Sequence, residues 1–338
     1  MNVGVVGATG MVGEVFMDIL GKRKFPVTTL RPFASEKSDG LKVKACGKQW
    51  RVEPLKKGCF DGLDLVFFSS GDDISKEWAP LAVKAGAFAI DNSAAFRMDK
   101  NCPLVVPEVN GDILPSPKFP QIIANPNCST IQLVVALNPL KKFGLKEVRV
   151  ASYQSVSGAG KAGREELLSQ TQEQITTGKL KTPAQTFAHP IAFNCLPHIG
   201  SFDANGYCSE EMKIIRETRK ILSLPKLKVS ALTVRVPSLN AHSEAAWVTL
   251  EKSVEKRDLL ACLRDAPGLK FVDQKNPSDY PTARDVSGLD EVHVGRLHQD
   301  LDDPHTWLMW IVADNILKGA ALNGLQIAER IFDIPQQT

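Results

Sequence analysis

Apolar positions fall into two textures along this chain of 338 residues. In roughly the first third, short runs that are almost wholly apolar alternate with amphipathic stretches. NVGVVG, LDLVFFSSG, AFAIDNSA, PLVVPEVN and QIIANPN predict strands, as does the segment around TTLRPF; EVFMDILGKR and ISKEWAPLAVKAG predict helices. Strands apolar on both faces and separated by helices imply a parallel sheet covered on both sides. From about residue 146 the runs lengthen and alternate. KEVRVASYQSV, KVSALTVRVP and SEAAWVTLEKSV predict strands of an antiparallel sheet with one wetter face. GREELLSQTQEQITTG and SEEMKIIRETRKIL predict helices among them, and the tail WLMWIVADNILKGAALNGLQIAERIFD predicts a strand followed by a long amphipathic helix.

The length predicts two domains. A composition of 43% hydrophobic and 23% charged residues is that of a soluble globular protein. Net charge is +3 with basic residues scattered, which gives no electrostatic case for nucleic acid. No run of about 18 apolar residues occurs, so no membrane span is expected. The opening MNVGVVGATG has no basic region and reads directly into a strand, so no signal peptide is expected. The seven cysteines are odd in number and widely spaced, without a C-x-x-C. Neither a disulfide framework nor a metal site is expected, and the compartment reads as reducing and cytoplasmic.

GATGMVG fits G-x-x-G-x-x-G at Gly7, Gly10 and Gly13, directly after a strand and opening a helix. Glycines there let the backbone approach a pyrophosphate, whose charge the helix N-terminus attracts. An acidic residue roughly 20 positions on usually holds the ribose of NAD. Here the second strand ends in ASEKSDG, where Ser35, Lys37 and Ser38 suit a 2′-phosphate. Glu36 among them suits a ribose hydroxyl, and a solvated polar loop is the third reading. With Lys37 facing inward, an extended loop turns Glu36 to solvent, so NADP is expected over NAD.

In NPNCST, Pro126 and two asparagines punctuate the chain before a run apolar at helical spacing. Cys128 therefore stands at or just before a helix start, where the dipole favours an anion and lowers a thiol's pKa. The alternative is a small packed residue that happens to fall there.

GATGMVG, DNSAAFR, NPNCST, YQSVSGAG, EEMK, RVPSLNAH and DNILKGAALN occur in that order over almost the whole chain. Together they closely resemble the aspartate-semialdehyde dehydrogenase family. The resemblance implies an α/β protein with a Rossmann-type parallel-sheet nucleotide-binding domain (1–127 plus 315–338). The remainder (128–314) is then an α+β catalytic and dimerisation domain with a mostly antiparallel sheet, in a homodimer or homotetramer. It implies NADPH-dependent reductive dephosphorylation of L-4-aspartyl phosphate, on the route to lysine, methionine and threonine. Carried over by motif, Cys128 is the nucleophile, His242 the acid/base and Gln154 the residue orienting the intermediate. Arg235 and Glu210 bind the substrate's carboxylate and amino group, while Arg97, Asn127 and Lys213 hold phosphate. Further cofactor contacts are expected at Thr9, Met11, Val12, Ser70, Gly71, Ser93, Ser157, Gly158 and Asn315.

The residues themselves leave more open. His242 follows Arg235 by seven residues, across what reads as the connection between adjacent strands, which puts both at one end of a sheet. A histidine can give or take a proton near neutral pH, as the acid/base role needs; His242 taken singly also fits a satisfied structural histidine, and Arg235 and Arg97 fit surface charges. Ser209 is the expected N-cap of the EEMK helix, with Glu210 and Lys213 on one face and Glu211 as dipole-matching acid. The nearest rival is another acyl-phosphate reductase, such as N-acetyl-glutamyl-phosphate reductase. Its acylated amine has no use for Glu210. A non-catalytic NADP sensor is the rival of a different class.

Overall fold

The computed structural model of the chain describes residues 1–335. Two compact units divide it: Met1–Asn127 with the segment from Gly319 onward, and Cys128–Lys318.

The first unit runs β1 (Asn2–Val6), α1 (Met11–Lys22), β2 (Thr29–Ala34), β3 (Lys42–Ala45), β4 (Lys48–Arg51), β5 (Glu53–Pro54), β6 (Leu65–Phe68), α2 (Asp72–Lys84), β7 (Phe88–Asp91), α3 (Pro107–Asn110) and β8 (Ile122–Ala124). Six strands pair in the order β5-β2-β1-β6-β7-β8, every pair parallel. Every residue of β6 and β7 is buried, the reason both read as unbroken apolar runs. Helix α1 packs by Phe16, whose ring stacks on Phe67 of β6 at 3.9 Å between centroids. β1 sits between β2 and β6, so the strand order reverses beside its carboxyl end, where open α/β sheets bind ligands.

The run PLVVPEVN is not a strand. Leu104 makes one isolated bridge to Ala124, and Pro107 then opens α3. Pro103 and Pro107 have no N–H to give a ladder. The Asn110 side chain takes the place of a strand partner, accepting from Val106 N–H and donating to Leu104 O, each at 2.9 Å.

The second unit runs α4 (Cys128–Leu137), β9 (Leu145–Gln154), α5 (Gly160–Thr177), α6 (Ser209–Ile221), β10 (Lys228–Arg235), β11 (His242–Leu250), α7 (Lys256–Arg264), β12 (Leu269–Phe271), α8 (Ala283–Val286), β13 (Val292–Gln299) and β14 (Thr306–Ala313). Its sheet has the order β10-β9-β11-β14-β13-β12. β9–β11, β11–β14 and β13–β14 are antiparallel, while β10–β9 and β12–β13 are parallel. Thus β10 and β11 are not neighbours, contrary to the reading of Arg235 and His242. The long crossover through α5 and α6 returns β10 parallel to β9, and β9 separates the two. The alternation is real: Val148, Val150, Ser152 and Gln154 of β9 are buried, while Arg149 and Tyr153 are exposed. Helix α4 covers the buried face.

Beyond β14 a π-helical turn (Leu317–Ala321) leads into α9 (Leu322–Ile331), shorter than the predicted helix; it is amphipathic as expected, but its polar residues Asn323 and Glu329 are buried along with its apolar face. Its Glu329 is buried because Arg23 meets it with two parallel bonds, Nε to Oε1 at 2.8 Å and Nη2 to Oε2 at 3.0 Å.

Candidate functional site

Two of the three loop glycines are sterically required. Gly7 has φ +82°, and a Cβ there would lie 2.7 Å from the Ser69 carbonyl oxygen. A Cβ on Gly13 would drive into the Gly7 carbonyl oxygen. Gly10 occupies the N-cap of α1 and supplies no side-chain cap, with Met11 and Val12 as the first helical residues, and a helix start of this kind suits an anion. Thr9 stands half-buried within the loop. At the end of β6 the Ser70 hydroxyl is buried and lacks a partner among the described residues, while Gly71 caps α2. A glycine cradle beside an unpartnered buried hydroxyl fits a dinucleotide phosphate.

Ser93 is already engaged. Its Oγ donates to Asp91 Oδ2 at 2.7 Å and its N–H to Oδ1 at 3.1 Å. Burial pushes the Asp91 carboxyl up despite the hydrogen bonds from Ser75 and Ser93. Residues Glu36–Ser38 form a 3₁₀ turn, with Ser35, Glu36 and Lys37 exposed and Ser38 half-buried. At about three residues per turn, successive side chains diverge by roughly 120° rather than alternating. The extended-loop argument for Glu36 therefore does not hold.

Arg97 is not a surface charge. It is buried, and its guanidinium is held by strand-end carbonyls, Nε to Asn125 O at 3.0 Å and Nη2 to Asn92 O at 2.9 Å. Asn127 is likewise buried.

In the second unit Cys128 is the first residue of α4 and is half-buried. Sheet register sets the rest. Arg235 pairs with Gln154, and His242, next to the Ser243–Tyr153 pair, lies on the far side of Gln154 on the same buried face. Gln154 Nε2 donates to Ser129 Oγ at 2.8 Å, tying the sheet to the first turn of α4. Arg235 is 5% exposed and gives Nη1 to the Ser155 carbonyl at 2.7 Å. Burial lowers its pKa, and the charges of Glu210 and Cys128 oppose that shift, so these groups lie within electrostatic range of one another. Glu210 is buried and pairs with Lys213 Nζ at 3.2 Å.

The residue at the N-cap of α6 is Cys208, not Ser209, which is already helical. Glu211 completes the cap, accepting Cys208 N–H at 2.8 Å and Thr233 N–H of β10 at 3.0 Å. That bond to β10 is why it is buried.

His242 is fully buried. Its Nδ1 accepts the Ser155 backbone N–H at 3.1 Å, with Ser155 Oγ also at 3.1 Å. The backbone donor places the neutral ring's proton on Nε2, which has no partner among the described residues. Burial, then the Arg235 charge, lower its pKa to about 3. His242 does not titrate near neutrality; it is a neutral donor. Gly158 keeps the space beside it open: a Cβ there would stand 2.8 Å from Arg235 Nη1 and 3.3 Å from His242 Nε2.

Ser157 and Asn315 join this network. Ser155 Oγ and Ser157 Oγ each lie 3.1 Å from Asn315 Oδ1, and Ser157 Oγ is equally far from Asn240 Oδ1. Sequence reasoning missed Ser155 and Asn240. The adjacency of Ser155 to Gln154 at a strand end was the available signal for the first.

Residues 2–115 match the family profile "Semialdehyde dehydrogenase, NAD binding domain", and residues 137–318 match "Semialdehyde dehydrogenase, dimerisation domain". Aspartate-semialdehyde dehydrogenase of Aquifex aeolicus is 47% identical over 330 residues, 97% of each chain. A crystal structure of aspartate semialdehyde dehydrogenase II from Vibrio cholerae complexed with ASA superposes with a TM-score of 0.93 at 42% identity, covering 98% of both chains. The enzyme from Candida albicans, solved with NADP, superposes with a TM-score of 0.75 at 25% identity over 99% of both chains. Family profiles, sequence identity and fold agree: the chain belongs to the aspartate-semialdehyde dehydrogenase family and is an oxidoreductase of amino-acid biosynthesis with a nicotinamide cofactor.

Proposed function

We propose that the enzyme uses NADPH to convert L-4-aspartyl phosphate into L-aspartate 4-semialdehyde and phosphate through a thioester on Cys128. The observation that carries this reading is the buried cluster of Arg235, Glu210 and neutral His242 around a thiol at a helix start. Cys128 sulfur bonds to the acyl carbon as the carbon–oxygen bond to phosphate breaks, and the thiol proton leaves with hydrogen phosphate. A nicotinamide held through the Gly7–Gly13 loop would supply the hydride for reduction of the thioester carbonyl. Collapse of the thiohemiacetal oxyanion breaks the carbon–sulfur bond, giving aldehyde and thiolate, and the thiolate takes one proton from solvent to restore the starting thiol. None of these steps needs a proton delivered to the carbonyl oxygen. A neutral Nε2–H donating a hydrogen bond there stabilises the oxyanion, which is the form His242 takes.

Arg235 presents its fork to the substrate carboxylate and Glu210 takes the ammonium, while Gln154 orients the intermediate. Arg97, Asn127 and Lys213 hold phosphate; Lys213, now on Glu210, then exchanges partners. Glu210 is what disfavours an N-acylated substrate. The glycine loop with Thr9, Met11 and Val12, the strand-end residues Ser70, Gly71 and Ser93, and Ser157, Gly158 and Asn315 hold the cofactor. Ser35, Lys37 and Ser38 hold its 2′-phosphate.

The outer face of the second sheet supports a homodimer. Tyr153, Leu232 and Trp247 are exposed there, an apolar surface of the kind that subunits cover. Seven cysteines, none of them in a disulfide among the described residues, suit a reducing cytoplasm. The test is phosphate-dependent NADP reduction with aspartate semialdehyde. Activity that is independent of phosphate, or that prefers the N-acetylated substrate, contradicts the reading.

A further inference from the structure

We propose that Glu244 is a positioning residue for the Cys128 thiol: with Gln132 it forms a buried polar floor that fixes helix α4 beneath Gln154 and His242.

Sheet register defines three layers on the buried face. The top layer holds Arg235, Gln154 and His242. The next holds Thr233, Ser152 and Glu244, aligned by the pairs Thr233–Ser152 and Glu244–Ser152. The third, with Ala231, Val150 and Ala246, is apolar. Glu244 therefore stands where the polar site gives way to core, and it is 0% exposed. A carboxyl in that place costs several kcal/mol unless something complements it, whereas an apolar residue would cost nothing.

The complement comes from α4. Gln132 lies one turn after Cys128 on the same face of the helix, 1% exposed within an otherwise apolar run, and it is the polar side chain that the Glu244 carboxyl faces. Yet neither carboxyl oxygen of Glu244 nor either amide atom of Gln132 makes a well-aligned hydrogen bond among the described residues. Four buried polar atoms, two from the strand and two from the helix, are left to satisfy one another. An ionised carboxylate cannot do so, since it offers no donor to the amide oxygen. A carboxylic acid can: its O–H serves the amide oxygen while the amide N–H serves its carbonyl. Burial pushes Glu244 well above the ordinary carboxylate range, which keeps it in that form.

Helix α4 is then tied to the sheet twice. Ser129 binds Gln154 of the top layer at 2.8 Å, and Gln132 binds Glu244 one layer down. Two attachments a turn apart fix both the height and the rotation of the helix. The apolar side chains of α4 pack it against its surroundings, and the second polar tie adds a directional constraint on its rotation that apolar contact does not supply.

This inference rests on Cys128 as the nucleophile, and the experiment separates the two. Alkylation by iodoacetamide is followed across pH by mapping modified peptides in wild type, Glu244→Leu, Glu244→Gln and the double variant Gln132→Leu/Glu244→Leu. Cys128 should be the fast-reacting thiol in wild type. In Glu244→Leu its reactivity–pH profile should shift and kcat fall by about ten-fold or more, the cost of a displaced reacting group, with KM for the cofactor unchanged. Glu244→Gln, whose amide also pairs with Gln132, should restore both. If Glu244→Leu does not fold, the double variant supplies the apolar floor and should show the same shift. Wild-type profile and kcat in a folded Glu244→Leu or double variant, or a Glu244→Gln as impaired as Glu244→Leu, would overturn the proposal. If another cysteine reacts fastest in wild type, the reading of Cys128 fails instead.

Discussion

The backbone N–H of Ser155 lies 3.1 Å from Nδ1 of His242, and this one bond decides which nitrogen of the ring faces the reaction. The neutral ring carries its proton on Nε2, and burial with the nearby Arg235 keeps it from gaining a second until about pH 3. A histidine in the unfolded chain takes up a proton near pH 6.5. Below that pH the unfolded state holds the extra proton and the folded state does not. The contribution of the neutral ring to stability is therefore complete above pH 6.5 and lost as pH falls towards 3. Between pH 7 and 4.5 the loss should be about 2–3 kcal/mol. Urea unfolding at both pH values should show it in wild type and not in His242→Gln. The same pH dependence in both proteins would mean that His242 is not held neutral.

Substrate recognition by Arg235 is tested by changing the substrate. Losing a charge-assisted hydrogen bond costs about 1.5–3 kcal/mol, or roughly ten- to a hundred-fold. Arg235→Ala should impair use of aspartate semialdehyde by that factor, and impair an analogue lacking the carboxylate much less. Equal loss with both would make Arg235 a scaffold residue that only holds the Ser155 carbonyl.

Gly158 is the position where one methyl group should silence the site. Gly158→Ala places a carbon 2.8 Å from Arg235 Nη1 and 3.3 Å from His242 Nε2. The side chains or the loop must give way. We expect kcat/KM to fall by about a hundred-fold with Tm little changed, as for any reacting group displaced by about 1 Å. Activity within a factor of two or so of wild type would show that the space above His242 is not used.

Cofactor preference rests on Lys37. Lys37→Ala should raise KM for NADP and leave that for NAD nearly unchanged, because only NADP carries the contacted phosphate. Glu36→Ala should change little or favour NADP slightly. A wild type that prefers NAD, with the preference abolished in Glu36→Ala, would reverse the assignment.

Much of this was legible in the sequence because it is local. The Gly7–Gly13 loop, Cys128 at a helix start and the alternation of β9 each depend on residues within a few positions. What was not legible is set by pairing at a distance. The Ser155–His242 bond joins residues 87 apart, and the meeting of Glu244 with Gln132 needs the sheet register. The insertion of β9 between β10 and β11 misled the reading of Arg235 and His242 because a crossover leaves no mark in local periodicity. Glu211 shows the reverse: the dipole-matching role expected of it was right in kind, but its bond to Thr233 required β10. PLVVPEVN failed because two prolines outweighed its apolar texture.

The central claim, a thioester on Cys128, is tested most directly by trapping it. Enzyme mixed with aspartate semialdehyde and NADP in the absence of phosphate should form about one NADPH per active site and stop, because the acyl group has no acceptor. Peptide mass spectrometry of the quenched protein should find the acyl adduct on Cys128. Cys128→Ser, still binding the cofactor, should give neither burst nor adduct. An adduct on any other cysteine, or a burst that survives Cys128→Ser, would contradict the account.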